Sequence, residues 1–151
     1  MKTMNEKHTN EKYIIMMIDD DYVNNYLNAM LLEESGLVKD LFIYTQPDRA
    51  LAFLQKACSS NPDPFADPFP HVIILDLKMP VMDGFEFLEK FSAIPGINER
   101  DVKVFVVTSS DHSSDVKHAN QFSIAGYITK PVTEEKIVYL LQQTDRHQTD
   151  W

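Results

Sequence analysis

Short apolar runs alternate along the chain with longer segments of helical periodicity, and this alternation limits the fold more than any other feature. Each run is continuous, rather than apolar at every second residue. Continuous runs are typical of strands buried on both faces of a parallel sheet that helices cover. We interpret five segments as strands: 13–18, 41–44, 71–75, 102–108 and 126–129. Five strand–helix units in succession predict an α/β protein with right-handed crossovers.

The segments between the strands carry helix start and stop signals. The first, residues 22–35, places Val23, Leu27, Met30 and Leu31 on one stripe, and Gly36 is well placed to end it. The second helix opens at Thr45-Gln46-Pro47, and the third runs from Asp83 to about Phe91. The fourth is capped by Ser113 or Ser114 and runs to about Phe122. The fifth is capped by Thr133, has Glu134 and Glu135 in its first turn, and buries Ile137, Leu140 and Leu141.

The ordered part of the chain is predicted to form one domain over residues 13–144. Residues 1–12 are polar and are interpreted as a disordered arm, and residues 145–151 as a polar tail. Residues 58–71 contain four prolines, which excludes a helix interior or a central strand and predicts a surface loop. With one domain of this size, no output domain is expected.

Charge and cysteine content narrow the classes of partner. Fourteen basic and 23 acidic residues give a net charge of -9, which disfavours nucleic acid and anionic membrane surfaces as partners. Cys58 is the only cysteine, which excludes an internal disulfide and a cysteine-based zinc site. The absence of a signal peptide and of an apolar run long enough to span a bilayer favours a cytoplasmic protein.

Acidic residues follow two of the predicted strands. Asp19 and Asp20 end the first strand, and Asp76 ends the third. In a doubly wound, flavodoxin-like (βα)5 sheet with strand order 2-1-3-4-5, these two strands are neighbours and their carboxyl ends form the ligand-binding crevice. Clustered carboxylates repel one another unless a cation joins them, and hard oxygen ligands suit Mg²⁺.

The fourth and fifth strands end in a hydroxyl and an ammonium at the same edge. Thr108 ends one strand and Lys130 follows the other. Taken singly, each has an ordinary structural explanation as a strand end or a solvated lysine. Taken together, they fit a carboxylate that attacks phosphorus while a metal and a lysine hold the phosphoryl oxygens.

Four motifs in this order resemble the receiver domain of two-component response regulators, the CheY-like family. They are IDDD (18–21), ILDLKMPVMDG (74–84), VVTS (106–109) and GYITKP (126–131). The resemblance spans residues 13 to about 144 and, as an ordered set, it is very specific. It implies a stand-alone receiver that passes on a signal from a phosphohistidine donor.

The resemblance also implies metal-site roles for individual residues. Asp76 is similar to the phosphoacceptor aspartate, Asp20 to the direct Mg²⁺ ligand, and Asp19 to a partner that acts through water. The backbone carbonyl of Lys78 is similar to a third protein ligand. Asp21, one place further on, is expected to start the helix.

The remaining roles concern phosphoryl binding and signalling. Thr108 is similar to the hydroxyl that binds the phosphoryl group, Lys130 to the lysine that pairs with it, and Tyr127 to the switch aromatic. Pro131 suggests a cis Lys130-Pro131 bond. The family usually signals through the face formed by the fourth helix, fifth strand and fifth helix, here parts of 113–122, 126–129 and 133–143.

The partners implied are a histidine kinase or a histidine phosphotransfer protein, and then a downstream protein or a second copy of the chain. We predict a phosphoacceptor rather than an enzyme with a separate substrate. One alternative is a Mg²⁺-dependent phosphatase of the haloacid-dehalogenase type, which normally has a second carboxylate two residues after the nucleophile, where Lys78 stands here. The other is a flavodoxin-like cofactor binder. Such a protein needs a phosphate-binding loop after the first strand, where the acidic residues 19–21 would repel a phosphate.

Overall fold

The structure is a computed structural model that describes residues 13–109 and 113–144. Within them, five parallel strands form one sheet in the order β2-β1-β3-β4-β5, which confirms the predicted flavodoxin-like topology. The strands are β1 (Tyr13–Ile18), β2 (Val38–Tyr44), β3 (Val72–Asp76), β4 (Lys103–Thr108) and β5 (Gly126–Thr129). The predicted arm 1–12 and tail 145–151 lie outside the described residues.

Five α-helices and one short 3-10 helix connect the strands. They are α1 (Tyr22–Glu34), α2 (Pro47–Ala57), α3 (Gly84–Ser92), the 3-10 helix (Ile97–Glu99), α4 (Ser113–Ala119) and α5 (Glu134–Gln143). None of the helices in the described part of the chain is long and apolar enough to cross a membrane.

Two boundaries differ from the sequence predictions by three residues. Strand β2 begins at Val38 rather than residue 41, because an edge strand tolerates the polar Lys39 and Asp40 within it. Helix α4 ends at Ala119, and a turn rather than a helix continues to Phe122, whose N–H donates to the Ala119 carbonyl.

The predicted caps of α4 were also misplaced. Ser113 and Ser114 lie inside the helix, so neither is its cap, and the residue that precedes Ser113 is outside the described part of the chain.

The apolar stripe of α1 located the helix correctly, but of its four members only Leu31 packs against the core. Val23, Leu27 and Met30 are 65%, 52% and 42% exposed. The core instead receives Leu32 and the polar Asn25, which lies seven residues earlier on the same face. The helix carries apolar side chains on more than one side, so periodicity alone could not select the side that packs on the sheet.

Two apolar layers enclose the sheet, one on each face. Met16 and Ile18 of β1 point into the layer built with α2 and α3, which contribute Leu54 and Phe87. Ile15 and Met17 of the same strand point into the opposite layer, built with α1 and α5, which contribute Leu32, Leu140 and Leu141. Because both faces of each central strand are buried, the strand sequences are apolar throughout.

The proline-rich residues 58–71 form a surface loop with no regular strand or helix, as predicted. The guanidinium carbon of Arg100 lies 4.4 Å from the ring centroid of Phe69, and Arg100 Nη2 donates to the Ala57 carbonyl. Two contacts from one arginine thus hold both ends of the loop against the amino edge of the sheet.

Candidate functional site

Three carboxylates meet at the carboxyl edge of the sheet. Asp19 and Asp20 follow β1 directly, and Asp76 is the last residue of β3. The two strands pair in parallel with Ile18 opposite Leu75, so their ends lie at the same level. One carboxylate oxygen from each of the three residues lies within 4.8 Å of the other two. The predicted convergence of these residues is therefore present in the structure.

Burial shapes the charge of this cluster. It raises the pKa of the Asp19 carboxyl to about 6, a rise that the N–H group of Asp21 opposes and the Asp76 charge increases. Burial also raises the pKa of Asp76, while the Lys130 ammonium lowers it. The two buried carboxyl groups are costly to ionise side by side, and a third carboxylate lies next to them. A divalent cation would offset this charge, and its preference for oxygen ligands fits the three residues.

Lys130 supplies the positive charge predicted at this edge. Its Nζ lies 3.6 Å from Asp76 Oδ1, and its side chain is mostly buried. The Lys130-Pro131 peptide bond is cis, as expected. The loop after Lys130 is held by Lys136, whose Nζ donates to the carbonyls of Thr129 and Pro131 at 2.7 and 2.9 Å. Sequence reasoning missed this role because a lysine in a first helical turn has no distinctive pattern.

Thr108 and Tyr127 lie on the side of the site away from the acidic pair. Thr108 is fully buried at the end of β4, one residue beyond the partner of Asp76 in the β3–β4 register. Its carbonyl accepts a hydrogen bond from the Lys130 N–H at 2.8 Å. Tyr127, two residues along β5 from Thr129, is 48% exposed at the edge of the sheet.

The loop from β3 to α3 is packed tightly beneath the site. The Lys78 N–H donates to Asp76 Oδ1 at 3.4 Å, and the Gly84 N–H donates to the Leu77 carbonyl at 2.9 Å. A Cβ on Gly84 would lie 2.7 Å from Leu77 Cα and 2.9 Å from the Asp76 carbonyl oxygen. Only glycine fits there, and a capping box between Asp83 and Glu86 then starts α3.

A short network of hydrogen bonds fixes the acidic turn, defined as residues 19–21. Asp21 Oδ1 accepts from the N–H groups of Val23 and Asn24, which makes Asp21 the N-cap of α1, as expected. The Asp21 N–H donates to Asp19 Oδ1 at 3.0 Å. Asn25 Nδ2 donates to the Asp19 carbonyl at 2.8 Å, and sequence reasoning missed this residue. The available signal was a polar residue in phase with Leu32 on α1.

Helix α4 contacts the site through the β3–α3 segment. Lys78 Nζ lies 3.9 Å from Asp115 Oδ2, and the Phe85 ring stacks on the His118 ring with centroids 3.9 Å apart and planes at 11°. The first contact comes from the loop after Asp76, and the second from the first turn of α3. The predicted signalling face is therefore tied by side chains to the segment that begins at Asp76.

An exposed apolar surface on α1 lies beside the acidic turn. We call it the α1 surface; its members are Tyr22, Val23, Tyr26, Leu27 and Met30. A groove next to it is lined by residues of α1 and of the β5–α5 loop, including Leu31 and Lys130. Lone exposed apolar residues are ordinary, but here five lie on one helix next to the acidic turn.

The doubly wound sheet and the carboxylates at its switch point together define an α/β protein with an acidic, lysine-containing site at the carboxyl edge. Within that class the chain belongs to the response regulator receiver domain family, because the family model described as "Response regulator receiver domain" matches residues 15–142. The chain is thus a receiver domain of the two-component type, as the resemblance implied.

Individual relatives agree with this assignment. Over 122 residues the chain is 28% identical to response regulator Rcp1 of a Synechocystis strain, covering 81% of this chain and 79% of that protein. It is similar in structure to bacteriophytochrome response regulator RtBRR, with a TM-score of 0.72, 27% identity, and coverage of 88% and 78% of the two chains. It is also similar to the Mn²⁺-bound form of Rcp1, with a TM-score of 0.66, 26% identity, and coverage of 86% and 89%.

Proposed function

We propose that this chain is the phosphoacceptor of a phosphorelay and that Asp76 receives the phosphoryl group. The observation that carries the proposal is the position of Asp76, buried beside Asp19 and Asp20 and 3.6 Å from Lys130 Nζ. A phosphohistidine of a histidine kinase or of a phosphotransfer protein is the donor, since the family generally has such partners. A cytoplasmic location belongs to the same proposal.

The transfer is a single displacement at phosphorus. A carboxylate oxygen of Asp76 forms a new O–P bond as the P–N bond of the donor breaks. The donor ring, protonated on its other nitrogen, leaves as neutral imidazole with the electron pair of the broken bond. Lys130 offsets negative charge on the phosphoryl oxygens, and the buried Thr108 hydroxyl donates to one of them. The protein turns over no separate substrate.

The metal in this proposal is Mg²⁺. Asp20 and Asp76 would hold it directly, Asp19 would act through water, and the backbone carbonyl of Lys78 would complete the protein ligands. Bound there, the cation would neutralise charge that the carboxylates and the phosphoryl group share. The close carboxylate oxygens support the proposal, as does the Mn²⁺-bound form of the similar protein Rcp1.

Signalling is proposed to follow from a change at Thr108 and Tyr127. A phosphoryl group adds charge and acceptor oxygens, which draw the Thr108 hydroxyl toward Asp76. The half-exposed ring of Tyr127 then turns inward, and the face formed by α4, β5 and α5 changes. A downstream protein or a second copy of the chain binds that face, and the acidic charge disfavours DNA as the target.

The donor is proposed to bind on the α1 surface. Five exposed apolar side chains lie along the helix that begins two residues after Asp20, and a groove of about 380 Å³ is lined by Leu27 of this surface and by Lys130. A donor helix placed on this surface would bring its histidine to the carboxyl edge of the sheet. This assigns the donor and the downstream partner to different sides of Asp76.

Neither alternative function is favoured. A haloacid-dehalogenase-type phosphatase needs an acid where Lys78 stands, and the Lys78 ammonium is directed to Asp115 instead. A cofactor phosphate at the acidic turn would meet three carboxylates in succession, Asp19, Asp20 and Asp21.

The test uses two donors, a small acyl phosphate with Mg²⁺ and a phosphorylated histidine phosphotransfer protein, with intact mass as the readout. Asp76→Asn should abolish uptake from both donors. Leu27→Ser, on the α1 surface, should slow transfer from the protein donor while uptake from the acyl phosphate stays unchanged. Undiminished uptake by Asp76→Asn would refute the phosphoacceptor assignment, and equal rates from the protein donor would refute the donor surface.

A further inference from the structure

Asn25 is a polar residue placed in the core layer of α1. The residue is 4% exposed and lies on the same face as Leu32. Its Nδ2 donates to the Asp19 carbonyl at 2.8 Å, while its buried Oδ1 has no hydrogen-bond partner within the described residues. An unpaired buried acceptor is unfavourable, so the residue calls for an explanation beyond packing.

The hydrogen bonds of Asn25 surround Asp20. Its side chain binds the carbonyl of Asp19, which precedes Asp20, and its backbone N–H binds the carbonyl of Asp21, which follows it, at 3.0 Å. Pairing between β1 and β3 ends at Ile18, so the ladder between these two strands does not reach the Asp19 carbonyl. Asn25 therefore binds the peptide group before Asp20 with its side chain and the peptide group after Asp21 with its backbone N–H.

The rest of the acidic turn is held in the same way. The Asp19 N–H donates to the Tyr44 carbonyl at 3.1 Å, and Asp19 Oδ1 accepts from the Asp21 N–H. With Asn25 in place, Asp19 is fixed at its N–H, its carbonyl and its side chain. Without the amide, the carbonyl would be released and the peptide group between Asp19 and Asp20 could rotate.

We propose that Asn25 is a positioning residue that sets the direction of the Asp19 and Asp20 carboxylates for a divalent cation. The inference rests on the proposed metal site. Groups that orient metal ligands are worth roughly 10- to 100-fold in metal affinity, although they never touch the ion. A side chain that served only to fill the core would affect folding instead.

The test separates metal affinity from stability. Asn25→Leu removes the donor and also the unpaired acceptor, so the melting temperature without metal should change little. Its dissociation constant for Mg²⁺, measured by titration calorimetry, should rise about tenfold. Asn25→Ala serves as a second variant if the leucine disturbs folding, and it should weaken Mg²⁺ binding in the same way.

The matched control is Leu32→Ala, on the same face of α1 but two turns further along the helix from Asn25. It should lower the melting temperature and leave Mg²⁺ affinity at the wild-type value. The proposal is overturned if Asn25→Leu or Asn25→Ala binds Mg²⁺ as tightly as the wild type, or if Leu32→Ala weakens binding equally. If the wild type itself binds no Mg²⁺, the metal site fails and this role fails with it, while the acyl phosphate test still judges Asp76.

Discussion

The acidic turn and helix α4 flank the same residue, the proposed phosphoacceptor Asp76, but they are held very differently. Asp19 in the turn is buried, and hydrogen bonds of 2.8–3.1 Å fix its N–H, carbonyl and side chain. Among the described side chains of α4, only that of Ala119 is buried, and an ion pair at 3.9 Å and a ring stack attach the helix to the β3–α3 segment.

This contrast suits the two tasks proposed for the site. Carboxylates that orient a cation must not move, because small displacements weaken binding and catalysis. A segment that passes on a signal must have a second conformation that differs from the first by only a small free energy. Elements that move are drawn from the less stable parts of a protein, and the described side chains of α4 are mostly not buried, which is typical of such elements.

The largest loss of stability is expected from a substitution in the β3–α3 segment, which lies next to the acidic turn and contacts α4. Gly84→Ala places a methyl group 2.7 Å from Leu77 Cα and 2.9 Å from the Asp76 carbonyl oxygen, so the backbone next to Asp76 must shift. We expect a loss of about 3 kcal/mol in the free energy of unfolding, measured by urea denaturation, and a loss of Mg²⁺ affinity.

Gly126→Ala is the control for that substitution. Its added methyl would lie 3.4 Å from the Phe105 ring, so we expect a loss of less than about 1 kcal/mol. Equal losses for the two variants would show that the β3–α3 segment is less rigid than its contacts indicate.

A smaller effect is expected from pH, and it sharpens the account of the acidic turn. Folding raises the pKa of Asp19 to about 6, so between about pH 4 and pH 6 the native state binds more protons than the unfolded state. The contribution of this group to stability therefore falls as pH rises through that window.

Mg²⁺ competes with those protons, so the rise in melting temperature that it causes should be larger near pH 7.5 than near pH 5. Asp19→Asn should flatten the pH dependence of melting without metal. Calorimetric melting curves at both pH values, with and without Mg²⁺, decide the matter. A Mg²⁺ increment that is independent of pH would contradict the assignment of the cluster.

The smallest effect in energy is the response to a phosphoryl mimic, and it tests the contrast directly. With beryllofluoride and Mg²⁺, NMR should show changed ring signals for Tyr127 and for His118 on α4. Signals of Tyr22 and Tyr26 on the α1 surface should change much less, because hydrogen bonds hold the start of α1 to the acidic turn. Larger shifts on α1 than on α4 would reverse the roles proposed for the two sides.

The sequence was a good guide to the carboxyl edge and a poor one to helix faces. Asp19, Asp20 and Asp76 could be placed together because they stand at the ends of two continuous apolar runs and parallel strands end at one edge. The buried face of α1 could not be predicted, since Leu27 and Met30 are apolar and exposed while Asn25 is polar and buried. Which face of α1 is buried depends on which backbone groups need a hydrogen-bond partner, and hydrophobic periodicity carries no information about that.

The weak attachment of α4 was equally invisible in the sequence. The Lys78–Asp115 pair joins residues far apart in the chain, and neither residue belongs to a pattern that indicates the other. The early start of β2 at Val38 was missed for a similar reason. Pairing with β1 extends the strand through polar residues that a search for apolar runs leaves out.

Cys58 is a native site for attaching a label or a surface linker. It is the only thiol of the chain, it is partly exposed, and it immediately follows α2 at the amino edge of the sheet. A dye, spin label or surface linker bound there would leave Asp76 and both proposed partner surfaces facing solution. The native protein can thus be immobilised in one orientation, or tracked as a single labelled species, without any engineered substitution.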